Sequence, residues 1–574
     1  MNQQLFDHLL LIYGADQVQD LADRLGSMVV EFAGRNPQLT AKPAVNRVSE
    51  QDSILITYGD KVQEEGIMPL ESLTEFLKEM VGDTISTVHI LPFYPYSSDD
   101  GFSVIDYKQV DPNLGSWEDV DQIGRSFRLM FDAVVNHISV QSDWFAGFLN
   151  DDPRFRNFFT LVEQDFDFSQ VFRPRTLPLL TEVETAAGPK QVWTTFSADQ
   201  VDLNYAEPQV LFEVIDTLLF YVAHGAEFIR LDAIAYIWKE SGSSCIHLPQ
   251  THEIIRLMRT VLDQAAPHVA IITETNVPHA DNISYFGNGF NEAQMVYNFS
   301  LPPLTLHAFQ TGTAEPLSSW ARTLTLPSKG TTFFNFLASH DGIGLTPARG
   351  LLSELEIQSM ADRVEALGGY VSYKINPDGS KSAYELNINF LDALRDPENL
   401  QEEIDLEVKR FIASQAIMLV LRGVPGIYFH SLFGSRNWQA GVQLTGRNRS
   451  INREKLNART LKAELSDQES LRHKVHNYYC RLLNARRAEP AFHPNGDQYV
   501  LDIDPVVFAV RRTSVDGRST VLCLQHVSAV PRRIHFPTGQ NAQRNILNGE
   551  IISGDLIDLA AYDVLWLQPI KSEQ

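Results

Sequence analysis

Three carboxylates stand at the ends of apolar runs whose pattern predicts buried strands. They are Asp232 in Phe228-Ile-Arg-Leu-Asp-Ala233, Glu274 in Ile271-Ile-Thr-Glu-Thr275 and Asp341 in Phe336-Leu-Ala-Ser-His-Asp-Gly342. Cleaving an acetal needs one group to attack or stabilise the anomeric carbon and an acid to protonate the departing oxygen, so carboxyls must converge from separate elements. Arg230, two residues before Asp232, is placed to hold that carboxylate ionised and turned for attack, which suits a nucleophile. Glu274 follows a continuous apolar strand; hydrophobic walls would raise its pKa and suit it to act first as acid and then as base. Asp341, beside His340, would bind sugar hydroxyls and favour the flattened, positively charged ring of the transition state. Taken singly, the three also fit a structural Arg/Asp pair, a loop cap and a turn.

A parallel barrel brings such groups together, because all its strands end on one face. Short β-rich runs alternate with helical patterns from about position 50 to 490, the mark of βα units. Eight strands are predicted: 54–57, 88–92, 129–135, 227–232, 270–273, 295–297, 332–339 and 426–429. The fold class is α/β, a (β/α)8 TIM barrel over 51–490, after a helical N-terminal extension at 1–50. Inserts at 138–207 and 342–397 follow the third and seventh strands, where long insertions shape the substrate side. The second contains the turn Asn376-Pro-Asp-Gly379. Alternating runs after about 490 predict an antiparallel β domain at 491–574, with strands at 506–512, 520–525, 532–536 and 564–567.

With 72 acidic against 47 basic side chains, the formal charge is −25, which argues against nucleic acid or an anionic membrane as partner. It is compatible with a salty cytoplasm. Cys245, Cys480 and Cys523 are few, odd in number and far apart, so neither a disulfide framework nor a zinc spacing is available. The start lacks a basic segment followed by an apolar stretch, and no run approaches the roughly 18 apolar residues of a membrane span. The expected setting is the cytoplasm, and a homodimer is compatible with the sequence.

A fourth segment, Asp132-Ala-Val-Val-Asn-His137, ends the predicted third strand and offers His137 as a donor to the sugar. In this order the four segments resemble the α-amylase superfamily of retaining glycosidases and transglycosidases. The resemblance implies that Asp232, Glu274 and Asp341 are nucleophile, acid/base and transition-state stabiliser. In that chemistry the two reacting carboxyls stand about 5–5.5 Å apart.

Further stretches resemble one branch, sucrose phosphorylase and its relatives. Ile90-Leu-Pro-Phe-Tyr-Pro-Tyr followed by Asp99-Asp-Gly-Phe102 is similar to the branch's glucosyl-holding motif, with Asp99 on distal hydroxyls and Phe102 lining the pocket. Gly446-Arg-Asn-Arg-Ser-Ile-Asn-Arg453 resembles its late arginine motif, which makes Arg449 the expected partner of Asp99. Phe172-Arg-Pro-Arg175 resembles its phosphate-binding loop, and an arginine fork would admit that anion to an otherwise acidic protein. Phe196, after Trp193, is either an apolar wall of the sugar site or a core aromatic.

Tyr384-Glu-Leu-Asn387 resembles the acceptor loop, with Glu385 where these phosphorylases usually carry glutamine. A carboxylate facing the acceptor would repel an anionic leaving group and favour a neutral polyol. The preferred substrate on this ground is 2-O-α-D-glucosylglycerol; the alternative geometry turns Glu385 away onto an arginine. Sucrose, glucosylglycerate and sucrose 6-phosphate remain alternative substrates. Asn136 occupies a position that ligates calcium in many amylases, but no acidic cage surrounds it, so neither a metal nor another cofactor is expected.

The resulting expectation is a retaining glycoside phosphorylase acting on a small α-glucoside and inorganic phosphate. An α-glucosidase or transglucosidase, or an inactive amylase-like binding protein, are the rival readings.

Overall fold

The eight predicted runs form the closed parallel barrel. In the computed structural model, which describes residues 3–44, 47–162, 165–174, 177–375, 380–535 and 542–570, its strands are β1 (Ile54–Thr57), β2 (Thr87–Ile90), β3 (Arg128–Ala133), β4 (Ala226–Leu231), β5 (Ala270–Thr273), β6 (Met295–Tyr297), β7 (Thr332–Phe336) and β8 (Val424–Tyr428). Each strand pairs with its neighbours in sequence, and β8 closes onto β1. β-Branched and aromatic side chains fit strands covered on both faces, and residues such as Ile54, Val88, Ile229, Ile271 and Phe334 are fully buried.

Register carries the carboxylates to one place. Leu231 of β4 lies opposite Thr273 of β5, so Asp232 and Glu274 are each the first residue beyond a matched pair and leave the barrel side by side. Asp132 of β3 pairs with Arg230 one step below, which sets a guanidinium beneath the two.

Several strands end earlier than predicted, β4 and β8 by one residue, β2 at Ile90 and β3 at Ala133 by two, and β7 at Phe336 by three. After Phe336 the chain's polar groups find partners in the late loop instead of a neighbouring strand. Arg453 Nε donates to the His340 carbonyl at 2.7 Å, and Asn452 Nδ2 donates to the carbonyls of Ser339 and Asp341 at 3.1 and 3.2 Å. An apolar run alone does not reveal this, because a buried loop satisfied by side chains has the same composition as a strand.

The first insert begins with His137–Ser139, paired antiparallel with Gln200–Asp202, and carries the hairpin Leu180–Thr185/Gly188–Trp193. The second is a sheet of Ile343–Gly344, Lys381–Asn387 and Tyr370–Ile375 backed by the helix Glu354–Ala366. The turn expected at 376–379 lies outside the described residues. At the N-terminus, helices Gln3–Tyr13 and Val18–Arg35 bury Leu5, Leu9 and Leu25 beside the barrel helix Pro249–Ala265. The C-terminal region is antiparallel, with six strands in one sheet and the pair Arg532–His535/Leu556–Leu559 in another. Phe536, the expected end of one of these strands, lies outside the described residues.

Candidate active site

A cavity opens at the C-terminal ends of the barrel strands, roughly 1420 Å³ with its mouth included, space enough for a disaccharide-sized ligand. Asp232, Glu274 and Asp341 all line it, as do Asp99, Phe102, His137, Phe196, Arg230, His340, Tyr384, Glu385 and Arg449. Arg175 lies outside the described residues; Phe172 and Pro174 of its loop reach the cavity wall.

At the floor, Arg230 Nη1 donates to Asp232 Oδ1 at 2.8 Å and also to Asp132, while its Nη2 lies 3.9 Å from Glu274 Oε2. Asp132 accepts a second bond from His89 Nε2 at 2.6 Å. Although burial alone would raise it, Arg230 and His89 hold Asp132 down to about 2. Glu274 is held less tightly: it accepts from the Ala233 amide at 3.2 Å, and the Arg230 guanidinium stands 3.9 Å away, farther than from Asp232. Burial, then the like charges of Asp232 and Asp341, push it up to about 7 against the opposing pull of Arg230. Burial also raises Asp232, again against Arg230. Ala233, between the two, has a left-handed backbone with φ 48°, a conformation costing a non-glycine residue of order 1 kcal/mol and typical of functional turns.

Asp341 stands opposite. Burial would raise it, but Arg449, His340 and Arg453 hold it well below the usual carboxylate range. His340 stacks flat on Phe102, with ring centroids 4.7 Å apart, and burial lowers it to about 3, so the imidazole is neutral near pH 7. The His137 Nε2–H donates to the Phe102 carbonyl at 2.8 Å, so the donor expected for the sugar is engaged in this structure. Phe196 packs edge-on against Tyr236 and beside His137, which makes it a cavity wall and not a core aromatic.

Two expectations are corrected. Within 4.0 Å, the carboxylate partners of Arg449 among the described residues are Asp341 (2.5 Å) and Glu385 (2.6 Å), not Asp99. Asp100, next to Asp99, pairs with Arg453 of the same arginine motif. Glu385 adopts the alternative geometry: its two oxygens accept from Arg449 Nε at 3.0 Å and Nη2 at 2.6 Å. The electrostatic ground for a neutral acceptor thereby falls away, since this carboxylate's charge is offset.

Asp132, Arg453 and His89 were not anticipated. Asp132 opens the quoted Asp132–His137 segment and Arg453 closes the arginine motif; for Asp132 and His89 a polar residue inside a buried strand was the available signal. Asn136 Nδ2 donates to Asp202 Oδ2 at 3.2 Å, and the Lys239 ammonium reaches Asp202 at 2.5 Å and Asn136 Oδ1 at 3.5 Å. Among the described residues no group of three or more His, Cys, Asp or Glu is arranged to hold a metal ion.

Residues 65–342 match the alpha-amylase catalytic domain. Over 98% of its length the chain is 48% identical to glucosylglycerate phosphorylase of Spirochaeta thermophila, 98% of which is covered. The chain belongs to the sucrose phosphorylase branch of the alpha-amylase superfamily. It is a glycosyl-transferring enzyme, with the eight-stranded barrel of that superfamily. Within the branch, identity to glucosylglycerol phosphorylase of Marinobacter adhaerens is 28%, over 70% of this chain and 80% of that one. The crystal structure of sucrose 6F-phosphate phosphorylase from Thermoanaerobacter thermosaccharolyticum superimposes with a TM-score of 0.73 at 22% identity, covering 88% of this chain and 98% of that one, a likeness of fold. Among the described residues no helix is long and apolar enough to cross a membrane.

Proposed function

We propose that this branch member is a glucosylglycerate phosphorylase, converting α-glucosylglycerate and phosphate into α-glucose 1-phosphate and glycerate with retention of configuration. The observation that carries the acceptor is the full-length 48% identity to a glucosylglycerate phosphorylase, against 28% over a shorter span to a glucosylglycerol phosphorylase. The neutralised Glu385 supports it by removing a bar to an anionic alcohol.

In this reading Asp232, oriented by Arg230, attacks the anomeric carbon while Glu274, still protonated, delivers its proton to the leaving oxygen of glycerate. A β-linked glucosyl enzyme results. Phosphate, admitted by Arg175 and Tyr384, then attacks from the vacated side and returns its proton to Glu274. Asp341 stabilises the oxocarbenium-like ring in both steps, with Asp99, Phe102, Phe196 and His137 around the sugar. Three unpaired cysteines suit a reducing cytoplasm as the setting.

The reverse reaction tests the acceptor. With α-glucose 1-phosphate as donor, phosphate release is expected to be fast with glycerate and slower by a factor of about 100 or more with glycerol, fructose or fructose 6-phosphate, a discrimination of the size one buried charge contact gives. Fast turnover with glycerol would instead return the neutral polyol.

Glu274 makes the acid step pH-dependent. Because its folded pKa lies near 7, the protonated form is lost as pH rises through 7, and kcat/KM for the glucoside is expected to fall on that limb. Glu274→Gln should abolish the limb and retain turnover of α-glucosyl fluoride, whose leaving group needs no proton. An unchanged alkaline limb in this variant would assign it to another group. The same raised pKa costs the folded state stability progressively as pH rises from 4.5 to about 7 and in full above that, so the variant is also expected to be more stable there by about 1–3 kcal/mol.

A further inference from the structure

Glu385 is 3% exposed and sits on the middle strand of the second insert, yet its carboxylate is spent entirely on one edge of the Arg449 guanidinium. From the opposite side of that group, Nη1 lies 2.5 Å from Asp341 Oδ1. A guanidinium is planar and rigid, so a bidentate carboxylate on one edge dictates where the remaining nitrogen points.

Glu385 is itself held. Gly344 lies opposite it in the sheet. At Gly342, the residue after Asp341, a Cβ would come within 2.6 Å of Glu385 Cγ and 2.6 Å of the Leu386 carbonyl oxygen. Only a residue without a side chain lets the Asp341 loop pass this close.

The charges matter as much as the geometry. A guanidinium bound to Asp341 alone would cancel the negative potential that a positively charged sugar ring needs. A second carboxylate on the same guanidinium offsets its charge and leaves more of Asp341's potential for the ring. We infer that Glu385 is a positioning residue for the glucosyl-transfer step, orienting Arg449 against Asp341 and offsetting its charge, and is not a contact to the acceptor. The inference rests on the glucosyl-transfer reading and is independent of which alcohol is the acceptor.

Release of fluoride from α-D-glucosyl fluoride at saturating phosphate, with the glucosyl group passing to phosphate, reads glucosyl transfer without the alcohol. Glu385→Gln keeps the shape and removes the charge. It is expected to lower kcat by on the order of tenfold with a smaller change in KM, as expected for coupled neighbours. In an Arg449→Gln background the same change should add less than about twofold, because its effect runs through Arg449. Gly342→Ala, which keeps every charge but presses a methyl group onto Glu385 Cγ, should lower kcat likewise and decides the matter if Glu385→Gln unfolds. Parental kcat in Glu385→Gln with only the KM for phosphate or alcohol altered would overturn the inference. So would full multiplication of the two single effects, or parental kcat in Gly342→Ala. A parent enzyme releasing no fluoride would overturn the glucosyl-transfer reading and this inference with it.

Discussion

Replacing Asp232 by alanine is expected to lower kcat by about 10⁴-fold or more, the size of loss seen when a nucleophile is removed from a group of residues acting as a unit. On the proposed mechanism both half-reactions pass through the glucosyl ester on this carboxylate, so without it water or phosphate cannot reach the same product with retention. Added azide supplies a test of role as well as of importance. In Asp232→Ala, azide takes the nucleophile's place on the β face and gives β-glucosyl azide from α-glucosyl fluoride. In Glu274→Ala, azide attacks the intact glucosyl enzyme from the vacated face and gives α-glucosyl azide. The two anomers are separable by proton NMR. A parental rate in Asp232→Ala would remove Asp232 from the nucleophile's role, and exchanged anomers would exchange the two assignments.

Arg230→Leu is expected to destabilise the fold by about 3–5 kcal/mol near pH 7, the usual result of leaving buried carboxylates without their cation. Arg230 is 2% exposed and is a donor to both Asp132 and Asp232. It cannot be replaced by solvent at that depth. The deficit should depend on pH. Asp132 has a folded pKa near 2, below its ordinary 3.8, so the stability it draws from Arg230 and His89 is present above the unfolded value and lost as pH falls toward 2. Denaturant midpoints of parent and variant should therefore differ most at neutral pH and converge as pH falls from about 4 toward 2. A deficit that persists unchanged into acid would mean that Arg230 stabilises through packing over the Phe102 and Tyr297 rings, which lie 5.7 and 5.5 Å from its guanidinium, and not through charge.

Much of this is written in local sequence. Period-two and continuous apolar runs bury the strands, and a residue just past such a run must stand at the barrel mouth. Asp232 and Glu274 are therefore legible as neighbours in the sequence itself, and Arg230, two residues before Asp232 and so on the same face of the chain, as the group beneath it. The extra reach predicted for β3 and β7 was not. Composition marks burial, whereas the partner of a buried carbonyl, here Asn452 or Arg453 from more than a hundred residues away, leaves no local trace.

Charge pairing marks the same boundary. The acidic and basic residues in and beside the pocket, Asp99, Asp100, Glu385, Arg449 and Arg453, all stand in the quoted motifs, and their residue types alone predicted a polar site held by ion pairs. Which carboxylate meets which guanidinium was decided only when the second insert laid its middle strand beside the loop after β7, with Gly342 clearing the way for Glu385. Ion pairs are non-directional at the level of sequence, since any arginine satisfies any aspartate that reaches it. Sequence thus determined the chemistry and its carboxylates, through the strand ends on which they sit. Tertiary structure decided which charged groups surround Glu274 and how Arg449 pairs, because both depend on distances between segments that only folding brings within a few ångströms.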